Sequence, residues 1–374
     1  MVRLEALNAK YGDSLLLQYK SDGKSRLWVV DGGPAGTWNK YLRPRLKELK
    51  GNREKLTVDL AMLSHVDADH VDGMVQMTKS LAENSNNAPT YLDIRRFWHN
   101  SFTDLVGSEA SLRRGLAALA GAMSAAKIAM AANGTTMTVD NVNLKDRREI
   151  AVLASIKQGR DLRDYIEVLQ LSGNDPFGDT LSSRLPKKKV DEATVTFVGP
   201  IASRLERFRQ EWEKAAGRPA AMASLFRDNL DESPTNLSSI VVLVEVEGRK
   251  ILLTGDARAD DIIDGFKEKR LSNKLPMTLD VLKMPHHGSD RNMTKKFLEA
   301  FPAKNYIVSA DGTYGNPDPN TIKAIVEIRG GDRYKIYFTN QVVGLPQLLS
   351  NLSRGKNFEY VFRAKDAPSI VVEL

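Results

Sequence analysis

Along the first hundred residues, short apolar runs are broken by turn-forming clusters. Ser14 to Tyr19 and Arg26 to Val30 flank Ser21-Asp22-Gly23-Lys24, the pattern of a β-hairpin. A helix is predicted over about Thr37 to Leu49, followed by Val58 to Leu63, an apolar run of buried-strand type, and a strand over Ile94 to Trp98. From about Ser101 the period changes: Leu112, Leu116, Leu119, Met123 and Met130 recur at helical spacing in an Ala-rich stretch, with Gly134 as its stop. Leu162, Ile166 and Leu169 mark a further helix, closed by the turn residues Ser172 to Pro176. Strands return at Ala193 to Val198, then an amphipathic helix around Leu205, Phe208 and Trp212.

The clearest hairpin follows, with Ile240 to Val246 turning at Glu247-Gly248 into Lys250 to Thr254. Leu279 to Met284, Tyr306 to Ser309, Lys335 to Phe338, Tyr360 to Phe362 and Ile370 to Val372 are the remaining strands. No internal repeat, low-complexity tail or linker interrupts this order. The pattern predicts one α/β domain over 1–374, with helical insertions at about 101–170 and 201–232.

Composition narrows the chemistry. The 374 residues include no cysteine, which excludes a disulfide scaffold, a Cys-ligated zinc site and a thiol nucleophile. At 42% hydrophobic and 27% charged residues the chain is ordinary globular protein. No signal-peptide or membrane-span pattern is present, so a soluble cytoplasmic protein with no membrane partner is expected. The formal charge of +7 is compatible with an anionic partner without requiring one.

The five histidines fall in three short clusters. His65-Val66-Asp67-Ala68-Asp69-His70 places four metal-ligand types in six residues, directly after an apolar strand. Asp and His suit divalent metals, and carboxylates offset the charge of two closely spaced ions. Asp69 or Asp72 alone would read as a helix cap, but the whole cluster would not. Pro285-His286-His287-Gly288-Ser289 again follows a strand; adjacent side chains on an extended backbone point apart, so one histidine binds metal while the other orients, caps or donates a proton. Leu252 to Ala257 runs a strand into Gly255-Asp256. His99, beside Phe97 and Trp98, reads either as a ligand or as a satisfied buried residue.

Together, Tyr11-Gly12-Asp13-Ser14, Val30-Asp31-Gly32-Gly33, His65-x-Asp67-x-Asp69-His70, Asn236-x-Ser238-Ser239, Thr254-Gly255-Asp256 and Pro285-His286-His287-Gly288-Ser289 resemble the metallo-β-lactamase superfamily. The match is to the branch holding the hydrolase domain of the DNA-uptake protein ComEC and the phosphorylcholine esterases. It spans about 1–100 and 190–320; the region 101–190 has no counterpart apart from the adjoining His99. The resemblance implies an αββα sandwich with a dinuclear site at one rim between the sheets. It assigns His65 and Asp67, with His99, to one ion, and Asp69, His70 and one of His286/His287 to the other. Asp256 would bridge, while Asp31 and Ser289 would support the ligands from behind. Asp67 replaces the superfamily's commoner histidine, which favours Mn²⁺ alongside Zn²⁺. Where relatives carry His-Pro, this chain has Asn316-Pro317; Asn316 is a substrate-binding candidate that cannot act as an acid.

Two divalent ions suit in-line phosphodiester hydrolysis by an ion-activated hydroxide. Asp69, His286 and His287 form the candidate catalytic set, the non-ligand histidine protonating the leaving oxygen. The first expectation is a phosphodiesterase or nuclease acting on DNA, with the basic runs Arg43 to Lys47 and Lys187 to Lys189 as supporting charge or as solvated faces. The alternatives are a hydrolase of a small phosphodiester or ester, and a partner-binding module with a vestigial site. The retained ligand residues argue against the last. The 101–170 insertion either caps the site or forms a homodimer or protein-partner interface through its Leu/Met stripe.

Overall fold

The computed structural model describes residues 1–84, 91–132, 144–178, 180–228, 236 and 238–374. Gly134 lies outside them. One sheet runs β17-β1-β2-β3-β5-β7-β8, from β1 (Arg3–Leu7), β2 (Leu15–Ser21), β3 (Lys24–Val30), β5 (Leu60–Met62), β7 (Arg96–Trp98), β8 (Ser172–Gly173) and β17 (Ser369–Glu373). The other runs β16-β15-β14-β13-β12-β11-β10-β9, from β9 (Lys188–Val190), β10 (Ala193–Gly199), β11 (Val241–Val246), β12 (Arg249–Leu253), β13 (Leu279–Lys283), β14 (Ala303–Val308), β15 (Tyr334–Phe338) and β16 (Phe358–Phe362). β4 (Leu56–Val58) and β6 (Leu92–Ile94) pair separately.

Strand alternation builds the layers. Leu15 and Leu17 of β2, Trp28 and Val30 of β3, and Leu60 and Met62 of β5 meet Val242, Val244, Ile251, Leu253, Val281 and Ile307 between the sheets. The intervening residues Leu16, Val29 and Ala61 face helices Arg43–Lys50, Ala68–Asn84 and Leu144–Val168. On the far side Leu243, Leu252 and Val308 face helices Ala259–Glu268, Lys295–Ala300, Pro319–Arg329 and Leu345–Leu352. Both faces of each sheet are covered, which is why the central strands read as unbroken apolar runs. The order is helix, sheet, sheet, helix: an αββα sandwich.

Two expected strands are each split. Asp59 separates β4 from β5 because its carboxylate takes Arg26 at 2.9 Å, Arg95 at 3.1 Å and the Leu27 amide at 3.0 Å. Arg95 separates β6 from β7 in the same way, its amide bonding the Val58 carbonyl. The Leu112–Leu119 stripe of helix Glu109–Ala132 packs on Phe102, Phe208, Trp212 and Met222 of helices Phe102–Val106, Ala202–Ala215 and Pro219–Asp228. Gly115 is there because a Cβ would lie 2.0 Å from the Trp212 ring. The side chains of Met123 and Met130 lie outside the described residues.

Both sheets change from antiparallel to parallel pairing part-way across: β3, β5, β7 and β8 are parallel in one, β12 to β16 in the other. Asp31, Ser64, His65 and His99 follow the carboxyl ends of β3, β5 and β7. Asp256, His286, His287 and Ser309 follow those of β12, β13 and β14. Crevices outside the carboxyl ends of parallel strands are the natural binding places of such sheets. Here two of them face each other, tied by a bond from the Ile240 amide to the Ser64 carbonyl at 2.8 Å.

Candidate metal centre

The histidine–aspartate loop crosses from β5 into helix Ala68–Asn84, whose first turn carries Asp69 and His70. The Asp67 carbonyl accepts the amides of His70 and Val71, both at 2.9 Å, so the turn is closed by its own backbone. Glycines let neighbouring chain press against it. A Cβ on Gly12 would lie 1.9 Å from the Asp69 carbonyl oxygen, and one on Gly73 would lie 1.9 Å from that of Gly32. This close approach sets Asp31 under His70.

Asp31 Oδ2 lies 2.9 Å from His70 Nδ1, while the same carboxylate accepts the Ser64 amide at 2.7 Å and the Ser64 hydroxyl at 2.8 Å. His70 Nε2 is thereby aimed at Asp256 Oδ1, 3.2 Å away. His65 Nδ1 sits 3.0 Å from Ser64 Oγ, and its Nε2 is 3.6 Å from Asp67 Oδ2 and 4.0 Å from Asp256 Oδ2.

The adjacent histidines are told apart by burial. Both occupy the left-handed backbone region, at φ 47° for His286 and 56° for His287, which is costly for residues with a Cβ and turns their rings 84° apart. His287 is buried. Its Nδ1 donates to the Ser309 carbonyl at 2.9 Å, which leaves Nε2 facing Asp69 and Asp256, each at 3.4 Å. His286 stays 30% exposed, with Nε2 3.7 Å from Asp256. Ser289 closes that turn through its amide, bonded to the His286 carbonyl at 2.9 Å.

His65 Nε2, His70 Nε2, His287 Nε2 and Asp256 Oδ1 are all buried with no hydrogen-bond partner. Asp69, His70, Asp256 and His287 each offer an atom within 4.8 Å of the others. Buried polar atoms without partners are expensive, and a convergent set of imidazole nitrogens and carboxylate oxygens is the donor set of a divalent ion. The residues fit a metal. Asp13, Asp31 and His70 also lie close, but there Asp31 takes His70 Nδ1 and Asp13 takes Lys283, so that set is a hydrogen-bonded support.

Charge follows the geometry. Burial pushes His65 down to about 4, helped by its neighbour His70. Burial also disfavours charge on His70 and His287, but Asp256 leads the carboxylates that hold both well above the usual histidine value. Burial would raise Asp256; His287, His70 and His286 hold it well below the carboxylate range.

His99 ends β7 beside the ligand loop, where the Leu63 amide bonds the Trp98 carbonyl at 2.8 Å. Both its ring nitrogens are buried without a hydrogen-bond partner among the described residues; burial lowers its pKa against the pull of Asp104, and Asp256, which lies within 4.0 Å of the other four histidines, forms no ion pair with it there. Asn316 is half-buried just before Pro317. Tyr314, two residues earlier, stands exposed and edge-on to Tyr11 at 5.1 Å.

Several residues to which the sequence assigned no role shape the site. Lys283 Nζ lies 2.6 Å from Asp13 Oδ2, each side chain 1% exposed, and Asp13 Oδ1 lies 3.6 Å from His287 Nδ1. Burial would raise Asp13, but Lys283 and then His287 hold it low. Ser239 Oγ accepts the Asp256 amide at 3.3 Å. Their sequence signals are Asp13 in Tyr11-Gly12-Asp13-Ser14, Ser239 in Asn236-x-Ser238-Ser239, and a lysine at the end of an apolar strand. Within the basic runs, Arg45 pairs with Glu5, Lys187 with Glu245 and Lys189 with Glu192.

No family model matches the chain. Over 98 residues it is 30% identical to ComE operon protein 3 of Bacillus subtilis, a stretch that is 25% of this chain and 12% of that protein's length. Two solved structures align along the whole chain. The metallo-β-lactamase fold protein YhfI from Bacillus subtilis does so at 12% identity and a TM-score of 0.41, covering 99% of that chain. Zn²⁺-bound PqqB from Methylobacterium extorquens does so at 10% identity and a TM-score of 0.42, covering 100% of that chain. Among the described residues no helix is long and apolar enough to cross a membrane.

Proposed function

We propose that the chain is a metal-dependent phosphodiesterase, with DNA as its first candidate substrate. The observation that carries the metal reading is the convergence of His65, His70 and His287 Nε2 with Asp256 Oδ1, all buried and all unpartnered. His65 and Asp67, with His99, would hold one divalent ion; Asp69, His70 and His287 would hold a second, and Asp256 would lie between them. Zn²⁺ and Mn²⁺ both suit this donor set. When bound, two such ions lower the pKa of a water and neutralise the anionic oxygens of an in-line displacement.

The chain's own groups do the rest. Asp31 and the Ser309 carbonyl hold His70 and His287 with Nδ1 protonated and Nε2 free. His286, exposed at the rim with Nε2 3.7 Å from Asp256, protonates the leaving oxygen, a role the Asn316 amide cannot fill because it is not an acid. DNA is supported by the sequence resemblance and the +7 charge. A small phosphodiester or ester is the second reading, favoured by the local ion pairs that occupy Arg45, Lys187 and Lys189.

Cleavage of single- and double-stranded DNA with Mn²⁺, Zn²⁺ or chelator, wild type against Asp69→Ala, tests the reading. Metal-dependent cleavage lost in the variant supports it. A folded, metal-loaded wild type that leaves DNA intact removes DNA, and small diesters and esters then decide between the remaining substrates.

A further inference from the structure

Helix Leu144–Val168 comes from the stretch with no counterpart in the family resemblance, yet it lies against the ligand loop. Ser155, Gln158, Gly159, Leu162 and Ile166 recur three or four apart and so share one helix face. Leu162 and Ile166 sink into the core over the first sheet. Gly159 brings the backbone so near that a Cβ there would lie 3.0 Å from Val66 Cγ1, inside the loop itself. Gln158 Nε2 donates to Asp72 Oδ1, one turn beyond the ligands.

Ser155 completes the face. Its buried hydroxyl donates to Asp67 Oδ1 at 3.2 Å, leaving Oδ2 as the oxygen 3.6 Å from His65 Nε2. A mid-helix serine commonly bonds a carbonyl of its own preceding turn; this one reaches across to a carboxylate. Asp67 is the most exposed of the loop's acids and histidines, at 28% against 22% for Asp69.

We infer that Ser155 is a positioning residue of the metal centre, which holds the Asp67 carboxylate with one oxygen turned toward His65. The inference rests on the metal reading above and is independent of the substrate. It makes the helical insertion a working part of the site. A donor that fixes a ligand carboxylate before the ion arrives removes rotamer freedom from the cost of binding, and losing such a partner typically weakens a metal about tenfold to a hundredfold.

Calorimetric titration of the chelator-stripped full chain with Zn²⁺ tests this in wild type, Ser155→Ala, Asp67→Ala, the double variant, and Lys157→Ala on the exposed side of the same helix. Ser155→Ala is expected to weaken one class of site by about tenfold to a hundredfold while the other class and the Lys157→Ala protein match wild type. In the Asp67→Ala background, Ser155→Ala is expected to change affinity no further. Wild-type affinity in Ser155→Ala overturns the inference, as does equal weakening of both classes with a lowered melting temperature of the metal-free form, the mark of a packing role. Additive losses in the double variant overturn it too. A wild type that takes up no Zn²⁺ is a separate result, which removes the metal reading and this inference together.

Discussion

Replacing Asp31 with asparagine keeps the side chain's shape while turning one acceptor into a donor and removing one of the negative charges that act on His70. Oδ1 of Asp31 accepts the Ser64 amide, and Oδ2 accepts the Ser64 hydroxyl while facing His70 Nδ1 at 2.9 Å. An asparagine that keeps its carbonyl on the Ser64 amide must put its NH₂ against Nδ1. That nitrogen then has to accept, and the imidazole proton moves to Nε2, the atom facing Asp256. The flipped amide instead sets NH₂ against the Ser64 N–H. The first arrangement must be undone before Nε2 can take an ion and the second sets two donors against each other, so presenting a bare Nε2 costs one buried bond, about 1–3 kcal/mol, which corresponds to roughly a tenfold to hundredfold loss of metal affinity. Asp31 has φ 59°, a backbone that asparagine tolerates, so Asp31→Asn isolates the effect without added strain. Asp31→Ala, which removes all three contacts, is expected to cost about 3–5 kcal/mol of stability as well. Titration of Zn²⁺ into the stripped proteins, with melting of the metal-free forms, measures both. Wild-type affinity in a folded Asp31→Asn protein would refute the reasoning that His70 must present a bare Nε2.

Three further outcomes are expected. In the metal-free protein His70 and His287 are raised above 6.5 because Asp256 and its neighbours outweigh burial; the stability they add is complete below about 6.5 and is lost as pH rises through their folded values. The melting temperature of chelated protein should therefore fall above that pH, while the increment on adding Zn²⁺ grows because the ion no longer displaces protons; an increment that shrinks from about pH 6.5 to 9 contradicts this. Gly73→Ala drives a methyl to 1.9 Å from the Gly32 carbonyl oxygen, so denaturant unfolding should show a loss of about 1–3 kcal/mol or more, with weaker metal uptake as His70 and Asp31 separate. Lys283→Met strands a buried Asp13 and should cost about 3–5 kcal/mol, of which adding Asp13→Asn recovers part; strictly additive losses would sink the ion-pair account.

Much of the frame was legible because it is local. Apolar runs of strand length on either side of Ser21 to Lys24 and of Glu247-Gly248 marked both hairpins, and paired residues such as Leu17 and Trp28 lie where their turns put them. The split of Val58 to Leu63 was not legible, since it depends on Arg26 and Arg95 reaching Asp59. The helices that follow β12 to β15 were missed as well. Their apolar faces are short, and they are held by the sheet beneath them rather than by a long stripe of their own.

At the site the division follows the same line. The chain order alone supplied the candidate ligand types, because His65 to His70 is one strand-to-helix turn and six consecutive residues cannot be far apart. It also limited the second half of the site to Asp256 and a histidine pair at strand ends. Only the tertiary structure decided that His287 is the buried partner of Asp69 and His286 the exposed one, since burial and the Ser309 carbonyl are set by β14. The Lys283–Asp13 pair spans 270 residues of sequence, and Ser155 meets Asp67 across 88. Charge, tautomer and rotamer at a metal centre are fixed by what lies within hydrogen-bond reach, and residues far apart in the chain come within that reach only when it folds.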